Sequence, residues 1–219
     1  MILSLSHKFL FIHVYKVAGT SIVRALGGAD VRHLVRILAP ENQGPFLASQ
    51  GIDPRFMTMH DHSFAKDVQG VIDPALFKRL FKFGFVRNPW DLQLSLYRFN
   101  VEKPHVRNAD LDFSSFENYI LCTPDAPLPH GVQKRFLFDT DGTQVVDFVG
   151  RYENLKADFS EVCQRIGIES ISLGHANATK HGPWASYYTR EMFEHERKRC
   201  AVDIATFGYS DDPAAYGIK

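Results

Sequence analysis

Residues 13–21, which read HVYKVAGTS, bring a lysine, a glycine and two hydroxyl side chains together directly after the apolar run FLFI. If that run is a buried strand, Gly19 lets the backbone turn tightly, and the amides that follow open a helix. Unpaired amides and the helix dipole favour an anion at such a helix start, and Lys16 adds a full positive charge. The stretch therefore predicts an anion-binding loop, with an ordinary strand-to-helix turn as the alternative. Its spacing does not match the GxxxxGK[ST] pattern of nucleotide triphosphatases.

A second group of polar residues, RNPWDLQLS at residues 87–95, follows the apolar run FKFGFV. Arg87 comes directly after this predicted strand, and Ser95 lies eight residues further on, within a predicted helix. A guanidinium can hold a phosphate through two parallel hydrogen bonds, and a serine hydroxyl can donate another. The stretch is a second candidate anion site, and the alternative is that Arg87 only pairs with Asp91 on the surface.

The elements that must position these groups alternate between strands and helices. The predicted strands are residues 9–15, 55–59, 81–86 and 145–149. The predicted helices are residues 20–26, 73–80, 89–99, 155–167 and 189–208, with loops at 38–54 and 122–144. The first and third strands are nearly continuous apolar runs, which is typical of parallel strands covered on both faces. We therefore predict an α/β fold with a P-loop-like, doubly wound, mostly parallel sheet, helices on both faces and ligands beyond the carboxyl ends of the strands.

Length, charge and cysteine content narrow the class of protein. The chain has 219 residues, which suits a single domain spanning residues 1–219. Lys plus Arg and Asp plus Glu both total 25, so bulk charge gives no reason to expect nucleic-acid binding. Three widely spaced cysteines fit neither a disulfide framework nor a zinc site. Because no apolar stretch approaches the length of a membrane span, the sequence predicts a cytoplasmic protein.

The two anion-binding stretches, in this order, resemble the motifs of the sulfotransferases that use 3′-phosphoadenosine 5′-phosphosulfate (PAPS), and most of all the carbohydrate branch. The first motif of that branch is commonly PKTAGTS or PKTGGTS, and residues 15–21 read YKVAGTS. The second motif, RNPxDxxxSxY, is complete at residues 87–97. A further motif, HATARE, corresponds to HSFAKD at residues 62–67. The resemblance extends from about residue 9 to residue 209.

The resemblance implies in-line transfer of a sulfuryl group from PAPS to an acceptor hydroxyl. Lys16 would contact the bridging oxygen as negative charge develops on the leaving 5′-phosphate. Arg87 and Ser95 would hold the 3′-phosphate, a group that ATP lacks. The donor-binding residues implied in this way are Lys16, Ala18, Gly19, Thr20, Ser21, Arg87 and Ser95. No metal is needed, because Lys16 and the helix dipole supply the positive field.

The acceptor hydroxyl must lose its proton, and a histidine suits this task because its pKa lies near neutrality. His62 stands at the first position of the HATARE-like motif and is the implied general base. His60 is the other candidate base and an acceptor contact, and it or Asp61 would orient His62. The carbohydrate branch implies a glycan or glycolipid as the acceptor.

Three further residues could contact the ligands. Arg151, in GRYENL, matches a recurrent arginine of the family and would reach the nucleotide or form a structural salt bridge. Lys180 would cover the nucleotide or meet the acceptor. Trp184 would stack on the acceptor, with core packing as its alternative.

Two other functions stay open on the sequence alone. A P-loop kinase would explain the anion-binding loop, but it needs a Walker lysine and a magnesium-binding acid, and neither occurs in pattern. A nucleotide- or glycan-binding module without catalysis is the second, because the motif departs from the family at two positions. Tyr15 replaces the usual proline, and Val17 replaces the usual threonine or cysteine.

Overall fold

The computed structural model describes residues 1–106, 111–122, 132–169, 171, 173 and 182–219. Within these ranges, four strands form one sheet in the order β1-β2-β3-β4. The strands are β1 Ile2–Ser4, β2 Phe9–Ile12, β3 Phe81–Val86 and β4 Phe148–Arg151. Strand β1 pairs antiparallel with β2, whereas β2 with β3 and β3 with β4 pair in parallel. The predicted α/β class with a mostly parallel sheet is confirmed.

Helices connect and flank the strands. They are α1 Gly19–Leu26, α2 Val31–Arg36, α3 Pro40–Ser49, α4 Ala65–Gln69, α5 Pro74–Arg79, α6 Pro89–Glu102, α7 Phe116–Leu121, α8 Lys134–Leu137, α9 Leu155–Arg165, α10 Arg190–Arg199 and α11 Ala201–Phe207. Short 3₁₀ turns lie at Gly27–Ala29, Pro54–Thr58, Pro104–Val106, Tyr152–Asn154, Trp184–Tyr187 and Pro213–Tyr216. Across the described ranges, no helix combines the length and the apolar character that crossing a membrane requires.

The chain forms two compact units. The sheet unit comprises Met1–Val86 and Arg135–Asn177 and contains the four strands, α1 to α5 and α9. The helical unit comprises Arg87–Lys134 and Ala178–Lys219 and contains α6, α7, α10 and α11. A single domain over residues 1–219 stays a prediction.

The core of the sheet unit is built on the phenylalanines of β2 and β3. Phe9, Phe11 and Phe83 are fully buried. The ring centroid of Phe83 lies 5.9 Å from that of Phe9 and 5.2 Å from that of Phe11. Every residue of β2 is buried, and so is every residue of β3 after the first. Burial of this kind explains the continuous apolar runs of the sequence, and parallel pairing brings the carboxyl ends of these strands to one edge of the sheet.

The helical unit packs around Trp90 of α6. Its indole stacks on Phe193 of α10 with ring centroids 4.3 Å apart, and its Nε1 donates to the Phe193 carbonyl oxygen at 3.2 Å. The hydroxyl of Tyr188 donates to the Trp90 carbonyl oxygen at 2.8 Å. Because Trp90 is the second residue of α6, these contacts hold the amino-terminal end of that helix, close to Arg87.

Predicted elements with strong local signals are confirmed. Strand β3 has the predicted bounds 81–86, and β2 occupies the first four residues of the predicted strand 9–15. Helix α1 begins one residue before the predicted helix 20–26. Helix α6 begins as predicted, because Asn88 caps it and Pro89 occupies its first position.

The predicted strand at 55–59 is wrong. Residues Pro54–Thr58 form a 3₁₀ turn instead, because the Asp53 carboxylate caps it by accepting a hydrogen bond from the Arg55 amide at 2.8 Å. The predicted loop at 38–54 is also wrong, since it contains α3. At residues 54–58 a capping side chain outweighed the local composition. Helix α3 has no capping side chain and begins with Pro40 at its first position.

Three other predicted elements have different bounds. The strand predicted at 145–149 is β4, which begins three residues later. The helix predicted at 189–208 is α10 and α11, divided at Cys200. The predicted loop at 122–144 contains α8, and its residues 123–131 lie outside the described part of the chain.

Candidate functional site

The predicted anion-binding loop, residues 15–21, leads from the end of β2 into α1. Lys16 and Ala18 have left-handed backbone conformations, with φ of 60° and 63°. The Ala18 carbonyl oxygen accepts hydrogen bonds from the Ser21 amide at 2.9 Å and the Ile22 amide at 3.1 Å, which starts the helix. Strained backbone of this kind costs about 1–3 kcal/mol per residue and clusters at ligand sites. Two such residues in one loop fit the predicted anion-binding loop, which stays a prediction.

Gly19, the first residue of α1, is covered by the imidazole of His13. A Cβ at this position would lie 1.8 Å from His13 Nε2, well inside van der Waals contact. Burial lowers the pKa of His13 to about 2, so its ring is neutral. Of the two hydroxyl residues that follow, Thr20 is exposed and Ser21 is half-buried. Packing therefore requires glycine at position 19, whereas the turn that the sequence assigned to this glycine is made by the left-handed residues Lys16 and Ala18.

We expect Gly19→Ala to destabilise the protein by about 1–3 kcal/mol, because the added methyl group must displace the His13 ring or the loop. Urea denaturation measures the free energy of unfolding. Gly27→Ala, at the other end of α1, is the matched control because a Cβ there meets no atom within 4 Å. The double variant His13→Ala/Gly19→Ala is expected to recover part of the loss. Equal losses for Gly19→Ala and Gly27→Ala would contradict the clash.

Arg32 of α2 holds the segment that carries His62. The Arg32 side chain is buried, and it donates to the Asp61 carboxylate at 2.6 Å. It also donates to the carbonyl oxygens of Met59 at 2.7 Å and Phe56 at 3.2 Å. These three acceptors tie the segment to α2 and thereby set where His62 lies.

His62 lies against the anion-binding loop. Its ring stacks on Tyr15, with ring centroids 3.7 Å and planes 18° apart, and its Nδ1 lies 2.7 Å from the His13 carbonyl oxygen. Because a carbonyl oxygen only accepts hydrogen bonds, Nδ1 carries the proton and Nε2 keeps its lone pair. Burial lowers the pKa of His62 to about 4, so the ring is neutral at pH 7. Such an imidazole can accept a proton at Nε2.

His60 is exposed on the same turn. Its Nδ1 accepts a hydrogen bond from the His62 amide at 3.0 Å, and the two ring centroids are 5.5 Å apart. Asp61 pairs with Arg32. His60 and Asp61 therefore both contact the segment that carries His62, and the orienting role considered for them stays a prediction.

His13 contacts two residues of the candidate site, and the sequence did not reveal it. Its ring covers Gly19, its carbonyl oxygen accepts from His62, and the His13 and His62 ring centroids are 4.1 Å apart. The signal in the sequence is a polar residue directly after the run FLFI. That signal does not distinguish a site residue from the end of a strand.

Arg87, in the helical unit, is buried. Its Nε donates to Asp91 Oδ2 at 2.7 Å, and the two side chains are 4% and 11% exposed. The expected ion pair between Arg87 and Asp91 therefore exists, but it is largely buried and does not lie on the surface. Ser95 lies about one helical turn beyond Asp91 on α6 and is also buried. A guanidinium oriented by a carboxylate suits planar, bidentate recognition of a phosphate.

The remaining candidates have different surroundings. Arg151 is exposed at the end of β4. Trp184 is half-buried in the helical unit, where its ring lies 6.1 Å from Trp90 and 4.8 Å from Tyr216, and this is the packing role considered for it. Lys180 lies outside the described residues. The described ranges contain no group of three or more histidine, cysteine or acidic side chains placed to hold a metal ion.

The chain is similar to known proteins over most of its length. Residues 1–199 match the sequence model of the Sulfotransferase family. A protein of Archaeoglobus fulgidus, described as uncharacterized, is 29% identical over 103 residues, which are 46% of this chain and 79% of the relative. The family match covers both anion-binding stretches and the segment that carries His62.

Proposed function

Because the chain belongs to the sulfotransferase family, we propose that it transfers a sulfuryl group from PAPS to a hydroxyl group of a carbohydrate. The observation that carries the proposal is the neutral imidazole of His62, stacked on Tyr15 of the strained anion-binding loop. A site for the donor anion with a base beside it supplies two requirements of group transfer to an oxygen atom, which are positioning and proton removal.

The anion-binding loop is the proposed site for the 5′-phosphosulfate of the donor. The amides of Gly19 and Thr20 lie in the first turn of α1, where the helix dipole favours an anion. Ser21, whose amide donates to the Ala18 carbonyl oxygen, is proposed to contribute its hydroxyl. Ala18, with its left-handed backbone, directly precedes α1. Lys16 is the proposed contact of the bridging oxygen, where negative charge grows as the bond from sulfur breaks.

Arg87 and Ser95 are the residues that we propose for the 3′-phosphate. Asp91 holds the guanidinium of Arg87 through Nε, and Ser95 supplies a hydroxyl donor on α6. A phosphate bound here distinguishes PAPS from ATP. Arg151 is proposed as a further contact of the nucleotide, because it is exposed at the carboxyl end of β4.

The proposed reaction is one in-line displacement at sulfur. The acceptor oxygen forms a bond to sulfur while the bond from sulfur to the 5′-phosphate oxygen breaks, and adenosine 3′,5′-bisphosphate leaves. The acceptor proton moves to Nε2 of His62, because Nδ1 already carries a proton toward the His13 carbonyl oxygen. Lys16 stabilises the charge on the departing phosphate oxygen.

A carbohydrate is proposed as the acceptor on the resemblance to the carbohydrate branch. His60 is exposed beside the proposed base, and an imidazole can exchange hydrogen bonds with a sugar hydroxyl. Trp184, which packs against Trp90 and Tyr216 but is only half-buried, is proposed as a second contact of the sugar.

Stabilisation by nucleotides tests the donor. We expect adenosine 3′,5′-bisphosphate at a hundred times its Kd to stabilise the protein by about 2.7 kcal/mol. Mg-ATP at the same concentration is expected to stabilise it much less, because ATP lacks the 3′-phosphate. Thermal unfolding measures both, with adenosine 5′-phosphate as the control. Selective stabilisation by Mg-ATP would support a kinase instead.

Transfer of labelled sulfate from PAPS to a broad panel of glycans tests the chemistry. Labelled product with any glycan supports the proposal, and its structure identifies the acceptor. Tight binding of the nucleotide without transfer to any member of the panel would support a binding module that has lost catalysis.

A further inference from the structure

Gln133, in the helical unit, makes two hydrogen bonds to the backbone of Arg87. Its Oε1 accepts from the Arg87 amide and its Nε2 donates to the Arg87 carbonyl oxygen, both at 2.7 Å. Gln133 is fully buried. Its carboxamide thus pairs with the backbone as a neighbouring strand does, at the first residue after β3. Both polar groups of the Arg87 backbone are held by one side chain.

Asp203 of α11 holds Gln133 in turn. Its Oδ2 accepts from the Gln133 amide at 2.7 Å, and its Oδ1 accepts from the Lys134 amide at 2.9 Å. Asp203 is fully buried, and burial raises its pKa to about 6, while the hydrogen bonds from these amides oppose the rise. Both carboxylate oxygens accept hydrogen bonds from backbone amides, an arrangement that suits the ionised form. Buried hydrogen bonds run from Asp203 through Gln133 to Arg87.

We propose that Gln133 and Asp203 are positioning residues for recognition of the donor 3′-phosphate by Arg87. The inference rests on the proposed function, because it takes that phosphate as the ligand of Arg87. A guanidinium contacts a phosphate best in a planar, bidentate geometry, which tolerates little displacement. Asp91 anchors the side chain of Arg87 at Nε, and Gln133 anchors the backbone that carries it. The two contacts together restrain the position of the guanidinium.

A merely structural role for Gln133 affects stability but not the discrimination between ligands. Gln93 offers a matched comparison, because it is also fully buried in the helical unit. Its Oε1 accepts from the Tyr119 hydroxyl at 3.0 Å. Replacing either glutamine by methionine removes a buried carboxamide with little change in length. The two variants differ in what they release, which is Arg87 for Gln133 and Tyr119 for Gln93.

Isothermal titration calorimetry with adenosine 3′,5′-bisphosphate and adenosine 5′-phosphate tests the inference. The dissociation constant for adenosine 5′-phosphate divided by that for adenosine 3′,5′-bisphosphate measures how much the 3′-phosphate contributes to binding. We expect Gln133→Met to reduce this ratio about tenfold, because a displaced Arg87 loses a charge-assisted hydrogen bond to the 3′-phosphate. The affinity for adenosine 5′-phosphate is expected to change little. Gln93→Met is expected to keep the ratio of the unaltered protein.

Asp203→Asn is the second variant, because it keeps the shape of the side chain and one acceptor oxygen. We expect it to reduce the ratio about threefold, and it decides the question if Gln133→Met does not fold. An unchanged ratio in a folded variant, or an equal loss of affinity for both nucleotides, overturns the inference alone. If the unaltered protein binds both nucleotides equally, the 3′-phosphate site of the proposed function is overturned together with the inference.

Discussion

His62→Ala is expected to lower turnover by about 10²–10⁴-fold, while the Kd for adenosine 3′,5′-bisphosphate stays the same. The variant removes the proposed base but leaves the amides of the anion-binding loop and Lys16 in place. Single-turnover assays with bound PAPS measure the loss in the chemical step, and calorimetry measures the Kd. His33→Ala is the control, because His33 is an exposed histidine on α2. Near-normal turnover by His62→Ala would exclude the assignment.

The pH profile of kcat/KM examines the same base without a substitution. Because the pKa of His62 is lowered to about 4, the imidazole stays unprotonated as the pH falls from 7.5 to 5.5. We therefore expect kcat/KM to stay nearly constant over that range. A base with the usual histidine pKa is mostly protonated at pH 5.5, which would cost about tenfold in rate. A tenfold loss would show that His62 is solvated or is not the base.

Lys16→Ala is expected to lower kcat by about 10²–10³-fold, because the ammonium group no longer stabilises the charge on the leaving phosphate oxygen. Alanine keeps a Cβ, so the left-handed backbone at φ 60° is as strained as before and the change acts through the charge. The rate of sulfate transfer with saturating PAPS measures the loss. Lys16→Arg keeps the positive charge but not its compact shape, so we expect an intermediate rate.

Lys8→Ala is the matched control for this experiment. Lys8 also has a left-handed backbone, with φ of 52°, and it is exposed between β1 and β2. Its replacement removes one positive charge from a strained turn away from the anion-binding loop, so we expect unchanged kcat. A similar loss in Lys8→Ala and Lys16→Ala would indicate that net charge, and not the bridging-oxygen contact, sets the rate.

The two departures from the family motif have defined places in the structure. Tyr15 stacks on His62, and the surrounding burial raises the pKa of its hydroxyl. Val17 is fully buried. Neither residue takes the place of a group that the proposed mechanism uses. Tyr15 in particular connects the loop to the proposed base through this ring contact.

Local signals in the sequence determined where several elements begin and end. The continuous apolar run at residues 81–86 becomes a strand because both of its faces can be buried. Asn88 and Pro89 start α6 because a capping side chain and a fixed φ act within a few residues. At residues 55–59 the β-prone composition gave a wrong prediction. Residues Pro54–Thr58 follow the cap Asp53 and lie in a 3₁₀ turn. Where the apolar run is short, a capping side chain can decide the local structure.

By itself, the sequence determined the family motifs, the loop that carries Lys16, and His62 as the candidate base. Only the tertiary structure placed His13 over Gly19 and Gln133 on the backbone of Arg87, from 46 residues away along the chain. The reason is physical: propensities and caps act between neighbours in sequence, whereas side-chain contacts depend on how distant elements pack. The sequence therefore shows which chemical groups are present, and the packing of the folded core sets their orientation.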